Sequence, residues 1–370
     1  MFLSLQYLRG IAALMVVAFH AADYAGRAAG AEPNALFAAG LSGVDLFFVI
    51  SGFVMIVSTA DRDVRPLAFL WKRLIRIAPL YWLLTLLLAN VALLAPSLLS
   101  TTLYDGGHLL ASLAFLPYRH PILPATVPML VPGWTLNYEM AFYLVFALSL
   151  LLPTRWQVPA VVGVLLFAVS LRHLIPYSHA GGFYTMPLIL EFGAGMLIAR
   201  AVATGIAIRP WLAGLVFALG WAALFSLAGG DHWRSIASGA PAALIVVGAV
   251  FLERGRRLPV LPPLRWLGDA SYSIYLTHVL TLPVLAKLWT AAGLPASAWF
   301  IAVCLAAAVL VGTTVYHLVE RPLLREMRHW RLGPRMTAKV PVTSGQGRPN
   351  AGERSSTMTL CSGTVQSPTG

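Results

Sequence analysis

Charge is what this chain has little of: 11% of its residues are Asp, Glu, Lys or Arg while 58% are apolar, and the mean hydropathy is +0.76. A soluble domain carries roughly a quarter charged residues, so there is too little polar surface here to cover a water-exposed fold. Cysteine is scarcer still. Cys304 lies in an apolar segment and Cys361 near the end of the sequence. Two such residues exclude a disulfide framework and give no metal-ligand cluster, so no metal site is expected. Acidic residues are also few, 14 against 26 Lys and Arg, which leaves a net charge of +12. That surplus would suit nucleic acid, but its placement argues for another cause.

What the chain does have is long apolar segments, and they come separately. Their lengths of about 16–24 residues match those that cross roughly 30 Å of hydrocarbon. Ten spans are expected, at 5–24, 44–60, 77–97, 134–152, 159–175, 183–203, 211–228, 236–252, 270–290 and 297–319. The fold class is therefore an all-α polytopic membrane protein, a bundle of about ten transmembrane helices. Leu109–Leu116 is apolar but too short to span, which suits a re-entrant or interfacial piece. The joints between spans are short except for 98–133, rich in Pro and His and the best candidate for an external feature with a role.

Basic residues orient the bundle. Arg62, Arg65, Lys72, Arg73 and Arg76 crowd 61–76, and Arg254, Arg256, Arg257 and Arg265 crowd 253–269. With Arg155, Arg200, Arg209 and the eight that follow position 320, twenty lie on one side. The other side holds five: Arg27, Arg119, Arg172, Arg234 and Lys287. This bias predicts an even number of spans with both termini cytosolic, and makes the charge a topology signal; no nucleic-acid partner is expected.

The transmembrane domain is expected over 1–325, followed by a basic and then disordered cytosolic tail over 326–370. From Gly333 onward Gly, Pro, Ser, Thr and Arg dominate, with too few large apolar residues to order the chain. Ile11–Ala22 followed by Ala29-Gly30-Ala31 has the form of a signal peptide and its cleavage site. Against cleavage, Met1–Leu8 has no basic residue and His20 interrupts the apolar run.

Ionisable groups inside spans cost about 2.5–3.5 kcal/mol each at the helix centre, which makes each a functional candidate. Arg9 and His20 share span one, about 16 Å apart along its axis and about 20° from alignment. A positive-inside anchor and a packed, hydrogen-bonded histidine would account for them equally. Arg73 and Arg76 open span three on one helical face, where they could form with Arg9 a basic mouth for phosphates or simply anchor the topology. Glu139 enters span four from outside, roughly 8 Å below the boundary. His20, about 16 Å above the inner edge of the core, lies only slightly deeper, so a carboxylate–imidazole pair is feasible. In Gly43–Phe53, Gly43 and Gly52 favour close helix contact, and packing explains the segment better than catalysis. Asp45 and Ser51 there are kept as candidate substrate contacts. Ser271–His278 gives span nine a hydroxyl-rich face, for packing or for a polar cavity.

Taken together these pieces resemble the membrane acyltransferase-3 family, which includes exopolysaccharide and O-antigen acetyltransferases. The likeness rests on Arg9 and His20 with ten residues between them, Gly43–Phe53, Arg73-x-x-Arg76, Trp134-Thr-Leu-Asn-Tyr-Glu139, Tyr272-Ser-Ile-Tyr275-Leu-x-His278 and Glu320-Arg321-Pro322, in order over about 1–325. The wording around Leu8–Ala13 and Asn137–Glu139 is most similar to the exopolysaccharide-production branch. The resemblance implies a multi-pass enzyme of the bacterial inner membrane that takes an acyl group, acetyl by bias, from cytosolic acyl-CoA. The acceptor it implies is a hydroxyl of a saccharide or lipid-linked glycan. No bound cofactor is implied, only acyl-CoA as co-substrate, with membrane lipid around the bundle. His20 is implied as the catalytic histidine, Arg9 as its partner in the motif, and Arg73 and Arg76 as donor-side residues. That Glu139 orients His20 is the expectation from their similar depth. Thr135 and Asn137 stand where many members have serine, and no appended esterase-like domain is expected in the tail that follows span ten. The competing class is a transporter of a sugar or lipid-linked glycan, its path lined by the same charges. No internal repeat supports it.

Overall fold

The computed structural model describes residues 2–29, 35–60, 64–99, 101–175, 180–227, 235–256, 258–295 and 297–327. The tail beyond Met327, the Gly30-Ala31 part of the cleavage-like motif, and Arg62, Arg234 and Arg257 lie outside the described residues. The described residues are helical nearly throughout, and the β pairing among them is an isolated bridge between Arg119 and Thr126.

In chain order the helices are α1 (Leu3–Ala29), α2 (Gly43–Thr59), α3 (Pro66–Leu94), α4 (Gly106–Leu113), α5 (Trp134–Ser149) and α6 (Thr154–Ser170). They continue with α7 (Leu190–Ala203), α8 (Pro210–Leu227), α9 (Ala240–Gly255), α10 (Pro262–Ala291), α11 (Ala298–Val315) and α12 (Arg321–Met327). Each of the ten expected spans falls on one of these helices. Seven of them, α1, α2, α3, α8, α9, α10 and α11, are long and apolar enough to cross a membrane. The other three, α5, α6 and α7, have 16, 17 and 14 residues. At 1.5 Å per residue they reach only about 21–25 Å.

Helix ends follow from the sequence. Pro66 and Pro262 occupy first-turn positions, where the missing N–H costs nothing. The start of α1 is closed by a distant residue: the Glu253 carboxylate on α9 accepts from the amides of Leu3 and Ser4, both at 2.8 Å, and from Ser4 Oγ at 2.6 Å. An acidic group at a helix N-terminus satisfies orphan N–H groups and complements the dipole.

The expected close contacts at Gly43 and Gly52 are present. A Cβ at Gly43 would lie 2.4 Å from the Ala12 carbonyl oxygen of α1, and one at Gly52 would lie 1.9 Å from that of Phe192 on α7. Backbones therefore touch on both sides of α2, which any side chain would prevent. This fixes α2 at the centre, between α1 and α7.

The 98–133 segment is folded, not open. Leu109–Leu116, expected to be re-entrant or interfacial, forms most of α4, started by Asp105, whose side chain accepts from the His108 amide at 2.5 Å. Ser112 ties the segment together: its carbonyl accepts from Tyr81 Oη of α3 at 3.1 Å and its hydroxyl from the Met129 amide at 2.9 Å. Met129 and Leu130 are fully buried, so the segment packs as a cap over the α3 and α5 ends.

Candidate active site

A cavity of about 850 Å³, counting its open mouth, lies between α1, α2, α3, α5 and α10. Five expected site residues line it: Arg9, Ser51, Arg73, Arg76 and Glu139. Four different helices supply them, and on α3 the i, i+3 spacing puts both arginines on the cavity side.

The three arginines differ in how far they are committed. Arg9 makes no hydrogen bond or ion pair within the described residues. Arg73 donates to Ser58 Oγ at 2.7 Å and lies over the rings of Phe69 and Tyr143, 5.2 and 5.8 Å from their centroids. Such cation–π contacts hold a guanidinium without neutralising it. Arg76 is ion-paired with Glu320 and sits 5.4 Å over Tyr272. Glu320 is itself buried, its second oxygen accepting from Ser273 Oγ at 2.5 Å. Three guanidiniums against the carboxylates of Glu139 and Glu320 leave one positive charge in the site, a suitable field for an anion.

Glu139 is engaged elsewhere than expected. Its Oε1 accepts from Ser51 Oγ at 2.8 Å and from Tyr143 Oη, one turn along α5, at 2.6 Å. Among the described residues no hydrogen bond joins Glu139 to His20. Comparable depth was the basis for pairing them, and depth does not say which neighbours a side chain faces. His20 is off the cavity wall, and its ring stacks on that of His278, centroids 5.1 Å apart at 29°. His278 is buried, and its Nδ1 donates to the Tyr275 carbonyl at 2.5 Å. The neutral ring therefore keeps Nε2 as a bare acceptor, and that atom is buried without a partner among the described residues.

Asp45 is buried in the first turn of α2 and does not line the cavity. Asn137 is also fully buried and off the wall. Thr135 lines it, its hydroxyl 3.0 Å from the Pro132 carbonyl and 3.2 Å from Tyr275 Oη. Among the described residues no group of three or more His, Cys, Asp or Glu could hold a metal ion.

Three site residues escaped the sequence reading. Tyr143 was findable, since it stands four residues after Glu139 on one helix. Glu320 and His278 sat in recognised motifs without an assigned partner, and only the three-dimensional packing supplies one.

The matching family model, described as an acyltransferase domain, spans residues 2–317. The chain belongs to the acyltransferase-3 family. Exopolysaccharide production protein ExoZ of Rhizobium meliloti (strain 1021) is 41% identical over 320 residues, 85% of this chain and 96% of that protein. Acyltransferase MdmB of Streptomyces mycarofaciens is 29% identical over 391 residues, 92% and 95% of the two chains. No solved structure matches.

Proposed function

We propose that this acyltransferase moves an acyl group, acetyl by preference, from cytosolic acyl-CoA to a hydroxyl of an exported saccharide, either an exopolysaccharide or its lipid-linked precursor. The observation that carries the proposal is the convergence of Arg9, Arg73 and Arg76 on one cavity, with His20 and His278 stacked beyond it. The saccharide assignment is supported by the exopolysaccharide-production relative. In this reading the ten helices cross the inner membrane with both termini in the cytosol, so the arginines sit toward the donor side.

Donor phosphates bind at the guanidiniums, Arg9 foremost because it has no competing bond, and the pantetheine arm runs along the cavity toward the histidines. His20 takes the proton of the sugar hydroxyl as that oxygen attacks the thioester carbonyl. The C–S bond breaks, the coenzyme leaves as thiolate, and the proton passes from His20 to the sulfur. The base is oriented by His278 in place of Glu139. Glu139, with Ser51 and Tyr143, shapes the donor cavity, and its negative charge limits the repulsion among the arginines.

Proteoliposomes supplied with radiolabelled acetyl-CoA on the arginine side and glycan on the other provide the test. Label appearing on the glycan supports the enzyme. Unmodified glycan crossing with no label transferred defeats it.

A further inference from the structure

The cavity and the histidine pair are not continuous. Phe47 and Tyr275 both line the cavity, and their rings meet edge to face, centroids 5.8 Å apart at 64°. Tyr275 is held from several sides. Its hydroxyl lies 3.2 Å from Thr135 Oγ1 and 3.2 Å from the Pro132 carbonyl, which joins the ring to the start of α5 and the last residues of the cap. The Tyr275 ring is also 5.8 Å from that of His278, which stacks on His20. A row of rings, Phe47, Tyr275, His278 and His20, thus leads from the cavity wall to the histidine that the wall does not include.

We infer that Phe47 and Tyr275 set the length of the acyl group this enzyme transfers. The inference rests on the acyl-CoA donor proposed above. An acyl group arriving from the arginine end meets the two rings before it meets an imidazole. Packed interiors do not yield continuously, and every added methylene must displace more of the aromatic pair. A two-carbon acyl group needs the smallest displacement. Discrimination by a hydrophobic wall runs from about 10-fold to 200-fold per methylene. The tethers on Tyr275 Oη keep the ring in place, while its bulk does the excluding.

The full chain in proteoliposomes would be given acetyl-, propionyl- and butyryl-CoA. The acceptor is the producing cell's polysaccharide, stripped of ester groups by mild alkali. The readout is the ratio of kcat/KM for butyryl over acetyl, which loss of folded protein does not change. Phe47→Ala and Tyr275→Ala are each expected to raise the ratio at least tenfold, and Tyr275→Phe, which keeps the ring, to stay within about threefold of wild type. Should Phe47→Ala fail to fold, Phe47→Leu carries the same test with a smaller rise. Wild-type transfer with an unchanged ratio in the shortened variants overturns this inference alone. Absence of transfer by wild type from all three thioesters overturns the donor proposal and this inference with it.

Discussion

His20 on α1 and His278 on α10 stack ring to ring, 5.1 Å apart, although the carboxylate expected beside His20 is tied to Ser51 and Tyr143. If His20 is the base that accepts the sugar proton, its loss removes general-base catalysis, worth about 10²–10⁴ in rate. His20→Ala is expected to lower label transfer by at least 10²-fold at normal expression. His278→Ala keeps the base but frees its ring, and a smaller loss, about tenfold and in kcat, is expected. Equal transfer by His20→Ala and wild type would remove His20 from the reaction.

The second prediction separates Glu139 from His20. With no bond between them, Glu139→Gln should leave the pH dependence of kcat where it is in wild type, whereas a carboxylate orienting the imidazole would shift it. The amide can still accept from Ser51 Oγ and Tyr143 Oη, so the loss in kcat should stay below about tenfold. The KM for acyl-CoA should change instead, since Glu139 shares the donor cavity with the arginines. A pH–rate profile displaced in Glu139→Gln would restore the expected pair.

The parts of this site that were legible from sequence are those set by helical period and charge cost. Arg73 and Arg76 share a face because they are three apart, and arginines and Glu139 within or beside apolar spans stand out in a chain so poor in charge. Depth gave no more than one coordinate. It put His20 and Glu139 at similar heights but could not say which helix faces which, and so missed the partner on α10. Span count suffered from a related limit: hydropathy marks α5, α6 and α7 as apolar, while their ends are set by local turns and packing, leaving 14 to 17 helical residues. The internal order of the cap was not legible because what fixes it is a set of single hydrogen bonds, at Asp105, Ser112 and His120, which carry no periodic signal.

Arg76 and Arg9 should respond differently to substitution. Glu320→Gln removes the counter-charge of Arg76 and leaves Ser273 with a weaker acceptor. Breaking a buried pair costs about 3–5 kcal/mol. With a third of the Arg76 side chain exposed, about 1–3 kcal/mol is the better expectation. The combined Arg76→Gln, Glu320→Gln variant should recover part of that loss, a coupling that a thermal-unfolding cycle in detergent would read. Arg9→Gln breaks no such pair, and its effect should fall on KM for acyl-CoA with little change in unfolding temperature. Strong destabilisation by Arg9→Gln with unchanged KM would make Arg9 a structural residue.

The cap should loosen in acid. His108 is fully buried, stacks on Tyr118 at 5.3 Å, and donates from Nε2 to the Val127 carbonyl at 2.9 Å. His120 lies across it, ring centroids 5.0 Å apart, with Nδ1 accepting from the amides of Ile122 and Leu123 at 3.1 and 3.0 Å. Burial lowers the pKa of both imidazoles. At His108 the Val127 bond and Asp105 oppose the shift, and at His120 the neighbouring His108 adds to it. The folded cap therefore binds fewer protons than the unfolded chain, and its stability is full above the ordinary histidine pKa of about 6.5. As pH falls below that value, toward the depressed pKa values, stability is lost, because protonated Nδ1 of His120 can no longer accept from two amides. The protection of the Met129 amide against hydrogen exchange, relative to its intrinsic rate at each pH, should fall between pH 7 and 5. In His120→Asn, whose side-chain oxygen can accept from those amides at every pH, much of that loss of protection should disappear. A loss as steep in His120→Asn as in wild type would show that His120 is not the group that titrates.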